Sequence, residues 1–313
     1  MKSHARSTRF AVTVFAILVL IWGYNWIVMK VGLRYAGPFD FAALRLVCGT
    51  ATLFVALAVT GRSVKPPPLG AVLGLGLLQT TAYVTVITWA LVAGGAGGTS
   101  VLVFTMPFWA LILGRFFLGE RLRGGQWVAV LLAFVGLVLI VHPWRQYGSL
   151  ESKLLASAGG FLWAASVIVA KLVRQRYDVD LLSLTAWQLL LGTVPVCLIA
   201  YLVPERALDW SWILVTSLLY AGILGTSAGW LIWMFVVSRL PAGTAGLSAL
   251  AIPATAVLIS WVQLGERPTG PEIGGMLCIA FALGVLALLG VWARTGARRN
   301  GRGYPAAGED SGT

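Results

Sequence analysis

Leu118-Gly119-Glu120-Arg121 returns 146 residues later as Leu264-Gly265-Glu266-Arg267. Each copy ends an apolar run that contains a proline, Pro107 or Pro253, and the spacing from proline to glutamate is 13 residues both times. Four shared residues alone are a weak signal. Together with a matched proline, a matched spacing and apolar flanks, they mark a duplicated unit, and a repeat constrains the fold more than any single element does.

Working outward, the same offset carries Thr80-Thr81-Ala82 onto Thr226-Ser227-Ala228. Further upstream, Trp22-Gly23-Tyr24-Asn25 through Lys30 aligns with Trp163-Ala164-Ala165-Ser166 through Lys171 at an offset of 141. Between them, Ala43 to Thr50 aligns with Ala186 to Thr193 at an offset of 143. The repeat therefore covers almost the whole apolar region.

Of the 313 residues, 58% are hydrophobic and 11% charged, where a soluble chain has about 25% charged residues. Ten apolar segments can be read: 10–30, 39–60, 69–93, 97–118, 125–143, 153–173, 181–203, 212–237, 241–263 and 273–292. Each is close to the roughly 20 residues that cross a hydrocarbon layer. Their connections are too short for a separate soluble domain. The expected fold is an all-α integral membrane protein, ten transmembrane helices arranged as two inverted five-helix repeats. An odd helix count brings the second copy in from the opposite face, a plan that lets a central site open to either side. The expected divisions are residues 10–143, residues 153–293, and a disordered cytoplasmic tail over 294–313.

A net charge of +12 invites a nucleic-acid reading, but the distribution argues against it. With ten helices and a cytoplasmic N-terminus, 16 of the 23 Lys and Arg fall on inward segments, six face outward, and Arg45 lies inside a helix. This is the positive-inside bias. It places both termini in the cytoplasm and makes the bilayer, not nucleic acid, the partner. The basic N-terminus is read as leading into a spanning helix, because its apolar run is too long for a signal peptide and lacks a small-residue cleavage site. Cys48, Cys197 and Cys278 all lie in apolar segments and read as core thiols.

These residues resemble the EamA family of the drug/metabolite transporter superfamily. The resemblance rests on the two five-helix halves, the tryptophan and lysine of the first and sixth segments, and the proline-then-Gly-Glu-Arg endings of the fourth and ninth. It spans about residues 10–293. It implies a ten-helix carrier of the bacterial inner membrane, often an exporter of amino acids or other small metabolites. It also implies a cavity between segments one to four and six to nine, with the fifth and tenth outside. The chain departs from internal symmetry at Arg45, whose counterpart is Gln188.

Polar side chains inside a span are costly, so each needs a reason. Arg45 lies about six residues into its segment, roughly 9 Å from the end at 1.5 Å per residue. It either faces the cavity, ready for a carboxylate or phosphate, or snorkels to the headgroups. Gln188 cannot reach as far, which favours a polar seam. Asn25, between Tyr24 and Trp26, can donate and accept, toward a solute or toward a neighbouring helix. Gln79 with Tyr83, and Thr226 with Trp230, share helix faces by their spacing and read as cavity walls. The bland alternative is that the hydroxyls bond their own backbone. Phe104 is a further candidate for the path. The expected solute-binding set is thus Tyr24, Asn25, Trp26, Arg45, Gln79, Tyr83, Phe104, Gln188, Thr226 and Trp230.

All eleven carboxylates lie at helix ends, in loops or in the tail. A proton or sodium carrier usually keeps one within the span. Facilitated diffusion or exchange is expected, or coupling through an end carboxylate such as Glu120 or Glu266, although both read more simply as anchors and caps. No protease, hydrolase or phosphate-loop signature is present, and His4 and His142 suggest no metal site. No catalytic residue, cofactor or metal is expected. The expected function is export of a small-molecule solute, an organic metabolite such as an amino acid, by alternating access. A homodimer is one assembly open to it. The competing classes are a membrane-embedded enzyme or lipid-handling protein, and a regulatory subunit.

Overall fold

The structure is a computed structural model, and it describes residues 2–94, 102–122, 124–141, 149–264 and 267–299. Among these the chain is helical, in rods joined by short turns. They are α1 (Lys2–Gly32), α2 (Pro38–Val59), α3 (Leu69–Gly76, Leu77–Ala82 and Tyr83–Gly94 in continuous run), α4 (Met106–Phe117) and α5 (Gln126–Val141). The second half holds α6 (Leu150–Arg176), α7 (Leu181–Leu202), α8 (Trp212–Leu219, Tyr220–Ala228 and Gly229–Arg239), α9 (Ala242–Ala249 and Ala251–Leu264) and α10 (Gly270–Arg299). Eight of these rods are long and apolar enough to cross a membrane, while α4 and α5 are shorter apolar helices. The expected segments 97–118 and 125–143 run partly outside the described residues, as do Glu266 and His142. The last helix continues to Arg299, into the stretch expected as a tail.

Local chemistry sets the helix ends. Ser149, Asp180 and Ser211 each accept a backbone N–H three residues on, which starts α6, α7 and α8. α2 has no cap of its own. Glu205, after α7, supplies one by accepting from Phe39 N at 3.1 and 3.0 Å and from Asp40 N at 2.9 Å. Pro107 and Pro253 lie in the first turns of helical pieces, after breaks at residues 104–105 and at Leu250. A missing N–H costs nothing there. The kinks that a helix-interior proline would make are therefore interruptions.

The middle pieces of α3 and α8 are π-helical. In α8 the hydroxyls of Thr226 and Ser227 donate to the carbonyls five residues back, Ala221 and Gly222, at 2.8 and 3.0 Å. The π register brings those carbonyls under the hydroxyls. Such bulges gather at functional sites.

The main packing partners are α1 with α8 and α9, α6 with α3 and α4, α2 with α7 and α8, α3 with α7, α4 with α9, and α5 with α10. Exchanging the first five rods for the last five maps this set onto itself. Matched residues even meet each other. The Thr50 and Thr193 hydroxyls lie 3.2 Å apart, and the Trp22 and Trp163 rings lie 5.7 Å apart. The interface hydrogen bonds come in pairs as well: Thr81 donates to Gly192 O and Ser227 to Gly49 O, both at 2.8 Å. Large apolar side chains such as Val262, Tyr201 and Phe116 point outward, as suits a molecule whose solvent is lipid.

A candidate solute cleft

A cleft opens at the end of the bundle that carries the α1–α2 turn. From α1 it takes Trp22, Asn25, Trp26, Met29 and Leu33, which follow one another along one helix face. From α2 it takes Phe41, Ala42 and Arg45, and from α3 it takes Tyr83, Ile87 and Thr88. Phe104, Trp163, Gly225 and Trp230 complete the walls and floor. The space between the walls, mouth included, is about 820 Å³, of which about 80 Å³ is cavity proper, so the cleft is narrower than the roughly 300–1,000 Å³ of a formed small-molecule site.

The floor is aromatic. Trp22 lies 5.3 Å from Trp230 and 5.8 Å from Trp233, and Trp163 lies 5.4 Å from Trp233. Tyr83 packs against Trp163 and Trp230 at 5.8 and 6.1 Å. Trp22 Nε1 donates to Gly225 O at 2.9 Å. The wall carries two incomplete polar groups. Arg45 donates from Nη1 to Thr226 Oγ1 at 3.3 Å, while its Nε has no partner among the described residues. Asn25 donates from Nδ2 only to the sulfur of Met29 at 3.3 Å, and its buried Oδ1 accepts nothing among the described residues. Asn25 sits there because residue 225 is glycine: a Cβ at that position would lie 2.5 Å from Asn25 Oδ1.

The opposite end of the bundle is shut. Just past α4, Gly119, whose φ of +65° suits glycine, turns the chain so that Glu120 folds inward. Glu120 Oε1 accepts from Lys171 Nζ on α6 at 2.9 Å. Its Oε2 accepts from Ala242 N at 2.7 Å, capping the first turn of α9. The anchoring expected of Glu120 is therefore present, with an ion pair added. Arg62 and Asp180 form a second, exposed pair at this end.

Of the ten residues expected at the site, Asn25, Trp26, Arg45, Tyr83, Phe104 and Trp230 line the cleft. Thr226 stands behind it and holds Arg45. Tyr24 turns away, stacked edge-on against Tyr220 at 5.2 Å and accepting from Gln263 at 3.3 Å. Gln79 and Gln188 are buried, at 2% and 0% exposure, and do not line it. Gln79 and Tyr83 are close in angle by their spacing, but Gln79 lies in the segment Leu77–Ala82, which packs against α6 and α7, while Tyr83 begins the next piece. Trp22, Trp163, Met29 and Thr88 line the cleft without having been expected there. The alignment of Trp22 with Trp163 was the signal available for two of them.

Comparison with known proteins agrees with this architecture. The profile of the EamA-like transporter family matches residues 9–142 and again 152–288. A Bacillus subtilis transporter, YoaV, is 28% identical over 270 residues, covering 84% of this chain and 91% of the relative. A Salmonella typhimurium protein named a probable amino-acid metabolite efflux pump is 28% identical over 280 residues, covering 85% and 91%. A probable terminal-alkyne amino-acid exporter of Streptantibioticus cattleyicolor is 24% identical over 299 residues, covering 94% and 97%. One solved crystal structure superposes with a TM-score of 0.76 at 20% identity, covering 90% of this chain and 97% of its own. With both halves matched by one profile, and with helices suited to cross a membrane on several passes, the chain belongs to the EamA-like transporter family.

Proposed function

We propose that this transporter exports small amphipathic carboxylates, amino acids foremost, by alternating access between two inverted five-helix halves, residues 10–143 and 153–293. Ten helices cross the bacterial inner membrane with both termini in the cytoplasm. The positive-inside distribution then makes the open end the outside. The self-mapping helix pairings and the contacts between matched residues support a two-fold relation between the halves. The relatives named as amino-acid efflux pumps support the substrate class.

The observation that carries the reading is Arg45. A cation in the cleft wall, with no acidic partner among the described residues and with Nε unused, suits a carboxylate. Asn25 Oδ1, a buried acceptor without a donor, suits the ammonium of the same solute, and the surrounding rings suit its apolar body. The set pairs a donor cation with an acceptor, as a zwitterion requires.

The test is thermal unfolding of the purified transporter against a metabolite library, since a ligand of the folded form raises its stability. Amino acids should raise the melting temperature, and the matching amino alcohols, which lack the carboxylate, should not. Arg45→Ala should weaken amino-acid binding roughly 10- to 100-fold, the equivalent of about 1.5–3 kcal/mol for a hydrogen bond to a charged group. Equal shifts for acids and alcohols, or undiminished binding by Arg45→Ala, would remove Arg45 from the site.

A further inference from the structure

A second cleft lies at the closed end, separate from the first. It runs between the C-terminal half of α4, the start of α5 and the start of α9, with about 1440 Å³ between its walls, mouth included. Its walls are apolar: Leu111, Ile112 and Phe116 from α4, and Trp127 and Val130 from α5. Phe116 is 79% exposed and Trp127 61%, so the cleft is open on the flank that meets lipid.

Its rim is cationic. Arg115 and Arg121 both line it, both are exposed, and neither has an acidic partner among the described residues. Glu120 also lines it, but its two oxygens are engaged by Lys171 and by the Ala242 amide. Two free guanidiniums beside an apolar trough match a molecule with a fatty tail and a negative head. Arginine is the side chain best shaped for phosphate oxygens, and basic pockets between membrane helices recognise anionic headgroups.

We propose that this cleft binds an anionic glycerophospholipid, with its phosphate between Arg115 and Arg121 and an acyl chain along Ile112, Phe116 and Trp127. The headgroup then lies next to the Glu120 latch. A bound lipid bridges α4, α5 and α9, and the latch joins two of these, α4 and α9, at this end. Occupancy favours the conformation in which this end is shut.

The experiment uses the full-length protein in detergent micelles, titrated with phosphatidylglycerol, phosphatidylcholine, or inorganic phosphate. Native mass spectrometry counts bound lipid, and thermal unfolding reads its effect. Phosphatidylglycerol should stay bound and raise the melting temperature, while the other two should do neither. Arg115→Gln with Arg121→Gln should cut the phosphatidylglycerol affinity about tenfold, with the amino-acid shift unchanged. Should that variant fold poorly, a photoactivatable phosphatidylglycerol on the wild-type protein gives an independent readout, and its cross-links should fall within residues 108–130 or 241–244. Equal retention of the two lipids, equal stabilisation by phosphate alone, an unaltered affinity in the double variant, or cross-links elsewhere only, would each overturn the proposal.

Discussion

The two ends of the bundle hold matched residues in opposite circumstances. At the open end Arg45 and Asn25 border a cleft. At the closed end their counterparts, Gln188 and Ser166, are fully buried. Ser166 satisfies itself on Trp163 O at 2.7 Å. Gln188 does not: neither its Oε1 nor its Nε2 has a partner among the described residues, and Gln79 Oε1, a turn on from Gly76 where α3 meets the Gln188 backbone, is in the same condition. A buried polar group left without a partner costs about 1–3 kcal/mol. If this end closes and opens as proposed, closure would carry such a penalty, and the Glu120–Lys171–Ala242 contacts would offset it. In the alternating-access reading, opening this end would wet the glutamines while breaking the latch. Gains and losses of similar size keep two conformations close in free energy, which a carrier requires.

The largest effect should come from removing the latch. Glu120→Ala leaves Lys171 without its partner and the start of α9 without its cap. The pair is partly exposed, at 24% for Glu120 and 16% for Lys171, so the loss should be about 2 kcal/mol, less than the 3–5 of a fully buried pair. The apparent melting temperature should fall, and cysteines placed at the closed end should label faster. Unchanged labelling would break the comparison, since that end would then be shut by packing alone. Glu120→Lys with Lys171→Glu should recover part of the loss.

An effect of opposite sign should follow at Gln188. Replacing it with leucine removes two unsatisfied atoms at similar volume, so stability should rise by about 1 kcal/mol. Solute flux in proteoliposomes should drop, because the closed state is over-stabilised and the emerging site has lost its amide. A fall in melting temperature with normal flux would mean that Gln188 is structural filler.

The smallest effects should be a matched pair. Thr81→Val deletes the hydrogen bond to Gly192 O, Ser227→Ala deletes the one that Gly49 O shares with Gly222 O, and each should cost about 0.5–1.5 kcal/mol, read by thermal unfolding. Similar costs would show that the two interfaces are energetically equivalent. A several-fold difference would locate the strain in one half.

The duplicated Gly-Glu-Arg stretch pointed to two like halves, each of which the one family profile matches, because a repeat is a pattern of identities and needs no knowledge of packing. Arg45 was legible for a similar reason, since an arginine in an apolar run calls for an explanation by itself. The fate of Gln79 was not legible. It depends on packing against α6 and α7 that a helix periodicity cannot reveal, although Gly76 just before it and Gly222 in the matched piece lie where a neighbouring backbone comes close. Tyr24 was misplaced for the opposite reason: it flanks two cleft residues, but on a helix immediate neighbours do not share a face. The engagement of Glu120 with Lys171, 51 residues away, could be seen only in three dimensions.

The contact between Trp22 and Trp163 has a consequence for how such a carrier can be tuned by selection. If two copies of a single five-helix chain met there, every substitution would appear at both ends at once, and affinity would stay equal on the two sides of the membrane. Here the two copies are one polypeptide, so position 45 can hold arginine while position 188 holds glutamine. In the proposed alternating-access cycle, each end can then acquire its own grip on the solute. The tryptophan contact remains the place where a change must suit both.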